Sequence, residues 1–80
     1  GNKVMVPDVV GDGETNDYAA ASGLLLGAGF TNILPAACVL VPGGDPQIGK
    51  VTAMGPGAGT FILTTDPITL TVAQDTPCGP

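Results

Sequence analysis

The sequence predicts a small α+β domain, with one helix covering one face of a sheet built from three or four short strands. Three observations carry this. A single segment, residues 17–28, has helical spacing between recognisable caps. Residues 68–72 alternate strictly between apolar residues and threonine. Glycines and prolines, thirteen and eight in the 80-residue chain, cut the rest of it into runs too short for a second helix.

In chain order, residues 3–6 form a short β-prone run ended by Pro7. The polar stretch GDGETND at 11–17 then leads into the helix. Asn16 and Asp17 are good N-caps, and Glu14 and Asp17 lie where a helix dipole favours negative charge. The helix runs from about Asp17 to Ala28 and stops at Gly29. Tyr18, Ala21, Leu24, Leu25 and Ala28 fall on one stripe and are expected to face the core. Leu26 sits roughly 130° from the centre of that stripe at 100° per residue, so it points outward and is a candidate partner contact. Residues 30–41 read as a strand interrupted at Pro35, which favours an edge or a bulge. Residues 42–46 (PGGDP) form a loop, 50–54 a strand, 55–59 (GPGAG) an inter-strand turn and 60–65 a further extended run. Asp66-Pro67 turns the chain into the last strand, where Ile68, Leu70 and Val72 face inward and Thr69 and Thr71 outward. No internal repeat or linker is visible. The chain reads as one domain over 1–80, with its core in 4–73 and a tail over 74–80.

Composition excludes several chemistries. There is no histidine, no arginine and one serine, Ser22, so the usual proton shuttle and most hydrolytic triads have no residues to build on. Ser22 is followed by Gly-Leu-Leu rather than the lysine that an acylating serine of the Ser-x-x-Lys type needs. Seven acidic residues against Lys3 and Lys50 give a net charge of −5, which disfavours nucleic acid and anionic lipid. Residues 12–17 place oxygen ligands at alternate positions as a calcium loop does. Counted from Asp12, however, Asp17 stands where glycine is needed and Gly23 where a bidentate glutamate is needed, so no metal is expected. The glycines of 55–59 lack the Gly-Lys-Ser/Thr of a phosphate cradle. No catalytic residues and no cofactor are expected.

The apolar stretch 19–30 is far short of the roughly 20 residues that span a bilayer, and no targeting signal is read at the start, so no direct membrane contact is expected. Cys38 and Cys78, the two cysteines, have no Cys-x-x-Cys spacing for metal or redox work. Two buried free thiols are one arrangement open to them. A disulfide is favoured, because Cys78 lies in a Thr-Pro-Cys-Gly-Pro tail that is poor core material, and it implies an oxidising, extracytoplasmic setting.

Four segments recur in order: VPDVVG at 6–11, AGF at 28–30, VTAMGPGAGT at 51–60 and ITLTVA at 68–73. Together they resemble the PASTA domain, a module of penicillin-binding proteins and of transmembrane serine/threonine kinases of Gram-positive bacteria, over nearly the whole chain. The resemblance implies one helix on a three-stranded sheet, taken here as antiparallel, with a short N-terminal strand. It places Ala21 and Leu25 at buried helix positions and Leu26 where a charged residue is usual. The departures are about four extra residues before the helix, Met54-Gly55 in place of Gln-Ser, a lost glycine near Thr65-Asp66-Pro67, and the two cysteines. A single copy with this tail is most similar to the C-terminal module of an actinobacterial bifunctional penicillin-binding protein, rather than to one of the tandem repeats of a receptor kinase.

By resemblance the chain is expected to be a non-catalytic, extracytoplasmic accessory module in the cell envelope. Its expected partners are the parent enzyme's other domains and cell-wall proteins. The family also implies muropeptide or β-lactam binding as the alternative. Those ligands carry carboxylates that call for arginine or lysine, so weak or no binding is expected of a chain with two separated lysines.

Overall fold

The computed structural model describes residues 2–10 and 16–78. It is an α+β fold with one helix and two sheets, in the order β1 (Lys3–Met5), α1 (Tyr18–Gly27), β2 (Ala37–Leu40), β3 (Val51–Gly55), β4 (Phe61–Leu63) and β5 (Thr69–Gln74). β1 and β4 form a two-stranded antiparallel ribbon. The other three strands form a sheet in the order β2-β5-β3.

That second sheet is mixed, which corrects the expected antiparallel arrangement: β5 runs antiparallel to β3 but parallel to β2. The reason is geometric. The chain reverses direction between β2 and β3, and β5 lies between them. A strand inserted between two opposed strands must be parallel to one of them. Local pattern cannot show this, because it depends on which strands become neighbours. β3 also carries a bulge, with Val51 opposite Val72 and Ala53 opposite Thr71, so Thr52 is the extra residue.

The helix ends follow from local chemistry. Asp17 is the N-cap, and its carboxylate accepts a hydrogen bond from the Ala20 amide at 2.8 Å. At the other end Gly29 adopts φ 100°, its amide donates to Leu26 O at 3.0 Å, and Phe30 N donates to Leu25 O at 3.1 Å. These two bonds complete a Schellman motif, and the accompanying apolar pair, Leu25 and Phe30, is fully buried. The cap thus delivers the largest core side chain directly from the helix end.

The core gathers Val6 and Val9 after β1, Ala21 and Leu25 from α1, Phe30, Val51 from β3, Ile62 from β4, and Ile68 and Leu70 at β5. Ala21 and Leu25 occupy the buried helix positions, as expected. Leu24 and Ala28 do not: Leu24 is 53% exposed, and Ala28 caps the helix in the solvent. The small core accepts only the single row of Ala21 and Leu25, and Leu24 lies about 80° from that row at 100° per residue. Tyr18 is half-buried and donates its hydroxyl to Leu34 O at 2.6 Å.

The expected strand over 30–41 contracts to β2, preceded by an isolated parallel bridge between Ile33 and Ile68. Pro35 falls between these two pairings, and β2 is an edge strand. In β5 the expected inward face is partly realised. Ile68 and Leu70 are buried, whereas Val72 is only half-buried. On the opposite face Thr69 and Thr71 are half-buried and Ala73 is buried. The segment before β3 extends the pairing along β5, through the Ile48–Ala73 bridge and the bond from Gly49 N to Ala73 O at 2.8 Å. A central strand therefore lacks the solvated face that strict alternation suggests.

Candidate functional site

Cys38 and Cys78 form a disulfide with a Cα–Cα distance of 5.7 Å. Cys38 lies on β2 opposite Val72 of β5, so the bond fastens the C-terminal tail back across the end of this sheet. Gln74 holds the same tail from within: its side-chain amide donates to Thr76 O at 3.0 Å and to Pro77 O at 3.2 Å. The tail is thereby fixed by one covalent link and by the Gln74 side-chain amide next to the sheet edge.

Leu26 is 57% exposed on α1, as its position predicts. Leu24, the other exposed leucine of the helix, is about 160° away around the axis, so the two do not form one patch. A more continuous apolar surface lies on the β1–β4 ribbon. Met5 pairs directly with Phe61, and they are 53% and 61% exposed, while their neighbours Val4 and Ile62 turn toward the core. Val39 and Leu40 of β2 are exposed as well. Sequence reasoning left Phe61 unassigned and missed Met5, Val39 and Leu40. Pairing partners decide their exposure, and a three- or four-residue strand offers too short a pattern to show them.

Lys3 belongs to the ribbon, opposite Leu63, whereas Lys50 precedes β3 and its backbone forms an isolated antiparallel β-bridge with Asp17. These are the chain's two lysines, and it has no arginine. Ser22 donates its hydroxyl to Ala19 O at 3.1 Å, a bond internal to the helix. Of the calcium-like stretch, residues 12–15 lie outside the described residues. Asp17 is occupied as the helix cap, and Asn16 donates from Nδ2 to Val9 O at 2.9 Å. Among the described residues no group of three or more potential metal ligands comes together, and no pocket opens. The glycines of 55–59 form the turn between β3 and β4, with Gly59 at φ 85° and Thr60 N donating to Gly57 O at 3.2 Å. No described helix is long and apolar enough to cross a membrane.

No family model and no curated protein matches the chain.

Proposed function

We propose that this chain is a PASTA-type accessory module of a cell-envelope peptidoglycan synthase. In this reading it is not catalytic, works outside the cytoplasm, and contributes by positioning its parent or by contacting protein partners. The family part of the reading rests on the segments at 6–11, 28–30, 51–60 and 68–73, and its extracytoplasmic part on the Cys38–Cys78 disulfide, a departure from the family, which closes the domain on its own tail. Disulfides persist in oxidising compartments, and a domain this small benefits from one.

Charge and surface support the contact role. Ligands of the muropeptide and β-lactam class present carboxylates, and a site for them gathers cations. Here there are two lysines, Lys3 on β1 and Lys50 just before β3, and no arginine, in a chain with a net charge of −5, which weakens such binding. Exposed apolar side chains, Leu26 among them, offer surface for a protein instead.

The test is deletion of these 80 residues from the intact envelope protein. Purified, the shortened enzyme is expected to polymerise and cross-link glycan within about twofold of the full protein, while its placement in the wall changes. Loss of polymerisation in the purified enzyme, with its other domains still folded, would contradict an accessory role.

A further inference from the structure

We propose that the outer edge of β2 is a docking site for an extended cationic peptide segment, which adds to the sheet as an antiparallel strand. The proposal rests on the protein-contact reading above and gives that contact a surface and a partner chemistry.

The edge is open by construction. Val41 N donates to Gln74 O at 2.8 Å, and Leu40 and Cys38 stand opposite Gln74 and Val72. In a parallel ladder alternate residues direct both backbone groups to the neighbour. Ala37, Val39 and Val41 therefore bond to β5, and the N–H and C=O of Cys38 and Leu40 point away from the sheet. β2 is terminal in the order β2-β5-β3, and no described residue pairs with its outer side. The opposite edge differs, because Val51 N is met by Asn16 O at 2.8 Å and the backbone of Lys50 pairs with that of Asp17.

Edge strands are commonly guarded by charge. β2 has none: no charged residue occurs from Thr31 to Gly44. Val39 and Leu40 are 38% and 57% exposed on its two faces. An added strand would cover both while gaining main-chain hydrogen bonds, which is how strand addition binds extended peptides.

Charge selects the occupant. Just past the end of β2, an Asp75 carboxylate oxygen lies 3.9 Å from where a Cβ on Gly43 would be, and Asp75 is exposed. An antiparallel peptide brings its N-terminal end to this point, so an ammonium there meets the carboxylate. A second copy of the chain brings a net charge of −5 against −5 and is disfavoured.

The experiment is an amide chemical-shift titration of the oxidised, nitrogen-15-labelled protein at low salt. One probe is Lys-Lys-Val-Thr-Val-Thr-Val amide with a free amino terminus, and the other is its acetylated Glu-Glu counterpart. Saturable shifts centred on the amides of Cys38 and Leu40 are expected with the cationic probe, at least about tenfold tighter than with the acidic one. Leu40→Pro removes an outward N–H that the ladder does not use, and is expected to abolish those shifts while the spectrum stays dispersed. Asp75→Lys changes an exposed charge and is expected to weaken binding about tenfold at low salt, the difference fading near about 0.5 M salt as screening shortens. If Leu40→Pro does not fold, Asp75→Lys carries the test alone. Equal affinity for the two probes, shifts confined to other residues, or self-association through Cys38 and Leu40 without peptide would each overturn the proposal. The accessory reading fails separately, in the deletion experiment, whatever the edge does.

Discussion

Replacing both cysteines by serine removes the one covalent crosslink. Its cost can be worked from the separation of 40 residues between Cys38 and Cys78. Opening that loop returns about 13 cal/mol/K of entropy to the unfolded chain, or about 4 kcal/mol at 25 °C. The side-chain links of the tail add little to this, because the Gln74 bonds to Thr76 and Pro77 are exposed. A domain of this length is stable by roughly 4–12 kcal/mol in total, so the loss is a third of the margin or more. The melting temperature should fall by roughly 15–30 °C, given about 4–8 °C per kcal/mol at this size. Urea unfolding of oxidised protein and of Cys38→Ser/Cys78→Ser, followed by circular dichroism, measures the difference directly. A second variant, Cys38→Ser ending at Asp75, separates loop closure from tail packing and is expected to match the double serine variant within about 0.5 kcal/mol. A loss under about 1 kcal/mol for the double serine variant, with both transitions two-state, would refute the loop-closure reasoning.

Three further outcomes follow from the packing. Leu25→Ala, at a fully buried position beside Phe30, is expected to cost about 2–5 kcal/mol, whereas Leu26→Ala changes stability by no more than about 0.5 kcal/mol; paired urea curves distinguish them. Asp17→Ala removes the bond to Ala20 N and should destabilise by about 1 kcal/mol, seen as earlier fraying of the first helical turn in hydrogen exchange. Gly29→Ala places a Cβ only 3.8 Å from Thr64 Cγ2, an ordinary contact, so its cost of about 1–2 kcal/mol comes from the φ of 100°. Asparagine at that position should recover part of the loss, which a purely steric cause would not allow.

What could be read in advance divides by range. The helix was legible because its signals are local: a capping carboxylate at Asp17, a glycine at Gly29, and the i, i+4 pair Ala21 and Leu25. The disulfide was legible for a different reason, since only two cysteines exist and one lies in a tail with little to bury. The mixed sheet was not, because the position of β5 between β2 and β3 is set by the full path of the chain. The same non-local choice hid the candidate edge. The uncharged run from Thr31 to Gly44 is visible in the sequence, but only the Val41–Gln74 bond reveals which backbone groups of β2 face outward. Leu24 was misassigned because the helical period gives an angle, whereas the width of the buried stripe depends on what lies beneath it.

The central claim, that this module acts through protein contact rather than by holding a wall fragment or an antibiotic, meets its most direct test in a titration of the oxidised domain with a stem-peptide muropeptide, followed by amide chemical shifts. Two lysines, no arginine and a net charge of −5 predict no saturable shifts below about millimolar ligand. Saturable, sub-millimolar shifts clustered on one face would contradict the account and make the domain a sensor of peptidoglycan.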